Sequence, residues 1–154
     1  MKLAEALAER AEAQRRYFQL KERLSLVARV QEGEEPDENP VELLAEAEQL
    51  MDRLTWLIRR INATNTATAF DEENTLTDAI ARRDAAMVRR DLYADLAKAA
   101  STRQDRYSRS EIRYVASISV VELRKKMDEC AKEYRQWDTA IQRLNWNTDL
   151  IESP

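Results

Sequence analysis

The chain has 154 residues, with 25 basic and 29 acidic side chains giving a net charge of −4, enough for one domain with a sizeable core. Hydrophobic residues make up 44% and charged residues 35%, rich in Ala, Leu, Glu and Arg, with one glycine and three prolines, a mixture that favours long helices because little in it breaks them. A mildly acidic chain without histidine is not a general nucleic-acid or membrane-surface binder, and it has no imidazole for zinc, for a Glu-x-x-His di-iron site or for a catalytic triad.

The first helix is expected over 2–31, with Leu3, Ala6, Leu7, Ala13, Tyr17, Leu20, Leu24 and Val27 at helical spacing. It runs into an acidic link, 32–38, that holds the only glycine, as expected just past a helix end. Asn39-Pro40 reads as a cap followed by a proline at the first helical position, opening a second helix over 40–68. Its stripe is Leu43, Leu44, Ala47, Leu50, Met51, Leu54, Ile58 and Ile61, and it runs out in an Asn/Thr tract. Thr75 and Asp78 have capping-box spacing at the start of a third helix, 75–102. The fourth, 119–148, opens at Ser119 with Glu122 three residues on, and its stripe is Leu123, Met127, Cys130, Ala131, Tyr134, Trp137, Ile141 and Leu144. Before it, the β-branched and aromatic run 112–118 predicts a short strand, which needs a partner.

The fold class expected is therefore all-α: a single domain, an antiparallel up-down-up-down bundle of four helices, each roughly 42 Å long. Two extended hairpins pairing with those of another chain are the alternative. In the bundle the acidic link (Glu32, Glu34, Glu35, Asp37, Glu38) shares an end with 103–118 (Arg103, Arg106, Arg109, Arg113) and pairs with it; the plainer reading is two solvated surfaces. At the opposite pole, Arg10 interrupts the first stripe, and counting residues puts it level with Asn62, Asp84 and Asp138. Extending the stripes adds Asn65, Asn145 and Thr148. A buried guanidinium needs an acid and acceptors, so a polar layer is expected with Asp84 or Asp138 as the counter-charge. It serves either helix registry or a small ligand.

Nothing in the sequence carries a reaction. One cysteine makes no disulfide or CxxC pair, and one glycine cannot build a Gly-rich phosphate loop. No loop has cation-ligand spacing, so neither cofactor nor metal is expected. The arginine pairs 82–83 and 89–90 read as a solvated, salt-bridged face. The segment RYSRSEIRY sets arginines beside Tyr107 and Tyr114, a combination that binds RNA, but the net negative charge and the acidic link weigh against nucleic acid as a partner. Ile80, Met87, Val88, Leu92, Tyr93 and Leu96 spread over more than half of the third helix, Trp56 lies opposite the second stripe and Trp146 falls in the terminal tract. Such apolar surplus predicts a second interface, hence a homo-oligomer. The N-terminal stretch has no signal-peptide core and no apolar run approaches the ~20 residues of a membrane span, so a cytoplasmic protein without a membrane partner is expected.

The motifs KLAEAL, QEGEEP at 31–36, RINATN at 60–65, TLTDAIARRD at 75–84, QDRYSRSEI at 104–112 and NWNTDLIE at 145–152 resemble the septicolysin-like family of small bacterial proteins, end to end and in order. The resemblance implies that a family function lies in those stretches. It points to Arg10, Asn62, Asn65, Asp78, Arg83, Asp84, Asn145 and Asp149 around the polar layer, and to Arg106, Tyr107, Arg109 and Glu111, beside Arg113, in the loop. The leading expectation is a non-enzymatic, self-associating scaffold or binding module. A ligand binder or enzyme using the Arg/Asn/Asp layer comes second, and the membrane-active toxin implied by the family label third.

Overall fold

A computed structural model of the chain describes residues 1–101 and 112–153. Four helices carry them: α1 (Leu3–Val27), α2 (Pro40–Ala67), α3 (Leu76–Ala100) and α4 (Val120–Asn147). The fold is all-α, and among the described residues the only β pairing is one isolated antiparallel bridge between Lys2 and Asp149.

Local side-chain chemistry sets the helix starts. The Asn39 side chain accepts from the amides of Val41 (3.0 Å) and Glu42 (3.4 Å), with Pro40 at the first helical position, where no N–H is needed. Thr75 and Asp78 exchange hydrogen bonds across the first turn of α3. The Ser119 hydroxyl accepts from the Glu122 amide (3.2 Å) at the start of α4. Two sequence expectations need correction. The first helix stops at Val27, not 31: Val30 is exposed, no further side chain continues the packed stripe that sustains a helix, and Gly33 turns the link with φ +88°. The run 112–118 is not a strand. Tyr114 and Val115 stand exposed and no ladder forms there, and β propensity without a paired neighbour does not make a sheet.

The contacts divide the chain into two compact units, Met1–Ala69 with Arg143–Pro154, and Phe70–Gln142. In the first, α1 and α2 run antiparallel. Leu3, Ala6, Ala13, Leu20 and Val27 of α1 are buried, as are Leu43, Ala47, Leu57, Ile61 and Thr64 of α2, at spacings of three, four, seven and ten residues that keep each set on one side of its helix. Leu24 and Leu50 pack on the cluster of Leu20, Val27, Leu43 and Ala47. Ion pairs recur at seven-residue steps along α1. Glu9 takes a bidentate bond from Arg53 (2.7 and 2.9 Å), Arg16 pairs with Glu46 and Arg23 with Glu38. The Arg53 guanidinium also lies 4.4 Å over the half-buried Trp56 ring.

In the second unit α3 and α4 are also antiparallel: Arg83 reaches Asp138, and Lys126 lies 5.7 Å over the Tyr93 ring. Leu76, Ala79, Ala86 and Ala97 are buried on α3, and Leu123, Cys130 and Ile141 on α4, so the lone thiol is a small core group. The Phe70 ring packs 5.4 Å from that of Trp137.

The hydrogen bond from Arg53 holds the Glu9 carboxyl below the ordinary carboxylate range, and that from Arg23 does the same for Glu38. A carboxylate with a depressed folded pKa adds stability above its unfolded pKa and loses it as pH falls through the folded value. The thermal midpoint should therefore fall between about pH 4 and pH 2, and a Glu9→Gln, Glu38→Gln double variant should show a shallower fall. Circular dichroism melts at stepped pH check this, and equal slopes would remove the two pairs from the acid response.

Candidate functional site

The polar residues singled out in the sequence do not gather into one layer. In the second unit, half-buried Arg83 donates to Asp138 (3.0 Å) and to its neighbour Asp84 (3.0 Å). Partial burial works against its charge, but the hydrogen bonds to Asp84 and Asp138 hold its pKa above the ordinary value. The two carboxylates expected to neutralise Arg10 thus serve Arg83. Arg10, half-buried in the α1 stripe, has no ion-pair partner among the described residues. Asp78 is spent on the α3 cap, where the Thr75 amide and hydroxyl lower its pKa. Of the arginine pairs on α3, Arg82 and Arg89 are exposed as expected, but Arg83 and Arg90 sit half-buried in the packed stripe.

In the first unit, Asn62 is exposed rather than inward, because the buried steps fall at Ile61 and Thr64; Asn65 is half-buried. Asn145 is buried, and its Oδ1 has no hydrogen-bond partner among the described residues. The tail after α4 clasps the start of α1. The Leu3 amide donates to the Thr148 carbonyl (2.9 Å), the Leu150 amide donates to the Met1 carbonyl (2.9 Å), and Lys2 pairs with Asp149 (2.7 Å). Exposed Asp149 is held below its ordinary pKa by that Lys2 bond.

Two residues of this clasp were not singled out in the sequence. Thr64 is fully buried; its hydroxyl donates to the Arg60 carbonyl (2.8 Å) and accepts from the Ile151 amide (2.9 Å). Arg60 lies buried one turn before it. The available signal was spacing, since Thr64 continues the Leu57–Ile61 step through a tract that reads as helix fraying.

Arg106, Tyr107, Arg109 and Glu111 lie outside the described residues, as does Arg103. Arg113 is exposed without an ion pair among the described residues. In the acidic link Glu38 pairs with Arg23 instead, and Glu32, Glu34, Glu35 and Asp37 are exposed. No group of three or more His, Cys, Asp or Glu among the described residues is placed to hold a metal ion.

The surface of α2 carries an apolar feature. The predicted α2 stripe resolves into two rows. Leu43, Ala47, Leu50, Leu54 and Ile61 face inward, joined by fully buried Leu57, which the predicted stripe omits, whereas Leu44, Met51 and Ile58 keep 49%, 41% and 37% of their surface exposed. Beside this outer row opens a groove of about 510 Å³, lined by Tyr17, Leu24, Val41, Leu44 and Met51, with Lys21 at its edge. On α3, Val88, Leu92 and Leu96 are likewise 69%, 54% and 39% exposed. Trp146 is exposed as well.

The chain is similar, at 59% identity and a TM-score of 0.89, to a solved structure described as a functionally unknown conserved protein from Corynebacterium diphtheriae, with 97% of this chain and 98% of that one covered. No curated protein matches the chain significantly. The model of a family of unknown function, DUF6847, matches residues 10–150. Neither carries any septicolysin link, so the septicolysin resemblance is withdrawn, and the toxin reading drawn from it with it. Among the described residues no helix is long and apolar enough to cross a membrane.

From α2, the Thr64 hydroxyl reaches the clasp by accepting from the Ile151 amide. Thr64→Val should leave the Ile151 amide unmatched at a cost of about 1–3 kcal/mol and speed its hydrogen exchange, while Thr64→Ser keeps both near wild type. Exchange read by NMR checks this; an unchanged Ile151 rate in the valine variant would show that the tail holds without Thr64.

Proposed function

Because the chain belongs to DUF6847, a family of unknown function, we propose its role from its own surfaces: it is a non-enzymatic, self-associating helical module of the cytoplasm. Its hairpins pack as coiled coils, and its working form is a homo-oligomer. The carrying observation is the pair of outer apolar rows, Leu44, Met51 and Ile58 on α2 and Val88, Leu92 and Leu96 on α3. Each repeats at helical spacing on a helix that already buries a different stripe. Scattered surface hydrophobes are common, but rows aligned over two or more turns beside a groove mark an interaction face. The seven-residue spacing of buried Ala6, Ala13, Leu20 and Val27 on α1, flanked by ion pairs at the same interval, supports the coiled-coil reading. The reduced, buried Cys130 and the lack of any disulfide fit a reducing compartment.

The test is mass in solution. Light scattering on an eluting peak should give an integer multiple, two or greater, of the 18.0 kDa chain. Met51→Glu should shift the peak toward one chain while leaving helical content intact, because a carboxylate in an apolar seam costs on the order of 2 kcal/mol or more. A wild-type protein that runs as a single chain at high micromolar concentration ends this proposal.

A further inference from the structure

The self-association proposed above leaves open which surfaces meet, and charge distinguishes the possibilities. In the outer row of α2, steps of three and four run Leu44, Glu48, Met51, Thr55, Ile58, so Glu48 lies inside the row and Asp52 beside Met51. Neither carboxylate has a partner among the described residues. Two α2 rows packed antiparallel about Met51 would set Asp52 against its own copy and Glu48 against the second copy of Asp52. The outer row of α3 has the opposite character at its start: Arg89 lies between Val88 and Leu92, and Asp95 between Leu92 and Leu96. Both charges are exposed and unpaired among the described residues.

We propose that the α1–α2 groove of one copy receives the Val88–Leu92–Leu96 row of α3 from a second copy, with Arg89 on Glu48 and Asp95 on Lys21.

Spacing supports this register. The pairs Glu9–Arg53, Arg16–Glu46 and Arg23–Glu38 set the levels of α1 against α2, and on that scale Lys21 is level with about residue 41 of α2. Glu48 and Lys21 are then roughly 10 Å apart along the hairpin, and Arg89 and Asp95, six residues apart, are separated by roughly 9 Å along α3. Both charge pairs form together only if the incoming α3 runs antiparallel to α2. That direction brings Leu92 to Tyr17 and Leu44, Leu96 to Val41 and Leu24, and Val88 and the small Ala85 to Met51. The groove walls are thus met by the three large apolar residues that α3 leaves exposed. The contact joins two different surfaces of the same chain, so it needs no outside partner.

Cross-linking tests the pairing. A tagged Leu44→Cys chain and an untagged Leu92→Cys chain, mixed long enough to exchange subunits and mildly oxidised, should give a mixed disulfide-linked species. Neither should link alone, and wild type, with only the buried Cys130, should not link. In the same register Glu48→Arg or Arg89→Glu should raise the dissociation constant about tenfold or more, and the two together should restore it to within about threefold. An oligomer in which Leu44→Cys links only to itself, or in which the double reversal binds no better than either single one, overturns this register and leaves self-association standing. A wild-type protein found only as one chain overturns both.

Discussion

The seam between α1 and α2 is built as much from alanine as from leucine. Ala6 and Ala13 on one helix and Ala47 on the other are buried among Leu3, Leu20, Leu43 and Leu57. Small residues let the two backbones approach and let the flanking Glu9–Arg53, Arg16–Glu46 and Arg23–Glu38 pairs span the seam. They also remove little apolar surface from water. A buried leucine contributes about 1.5–3 kcal/mol and alanine far less, while each ordered residue costs about 1–2 kcal/mol of backbone entropy. The exposed ion pairs add little to that balance. The α3–α4 pair follows the same pattern through Ala79, Ala86 and Ala97. Hairpins of this kind fix direction and register well, but each is thin, and a thin hairpin that also carries a second apolar row gains most from having that row covered.

Arginines set into the packed stripes work the same way. Arg83 occupies a stripe position on α3 and is matched by Asp138 on α4 and by its neighbour Asp84, which burial alone would not allow. Such a pair adds little net stability, yet sliding the helices by one turn would leave a half-buried guanidinium without its acid. In the second unit it is Arg83, not Arg10, that meets the two acids expected in the polar layer. In the first, the tail clasp ties the start of α1 to the end of α2 through Thr64, and among the described residues the buried Asn145 Oδ1 has no donor.

Features decided within one turn of chain were legible in advance. The caps at Asn39 and Thr75 depend only on a side chain and the next three amides, and the four helices follow from apolar spacing that no glycine interrupts. What the sequence could not rank was which of two adjacent apolar rows on α2 would be buried. Leu43 and Leu44, or Met51 and Leu50, differ by about 100° of rotation, and only the position of the partner helix separates them. Level-counting assigned Asp84 and Asp138 to Arg10, although Arg83 lies next to one in sequence and across the hairpin from the other. The clasp at Thr64 and Ile151 joins positions 87 apart, a pairing for which a local reading holds no signal.

The charges inside the outer rows bear on how the proposed association would be kept specific. An uninterrupted apolar row on a helix would accept another at several offsets, since one turn of slip costs only a few contacts. Glu48 and Arg89 are solvated in the free chain, where they cost nothing. In a closed interface each must meet an opposite charge or be desolvated without one, which penalises every offset but one. The same logic sets Arg83 against Asp138 inside the chain. In the proposed association, register between copies would follow the same rule as register within a hairpin: apolar spacing supplies the attraction, and a single charge placed in the row chooses among the alignments it would otherwise allow.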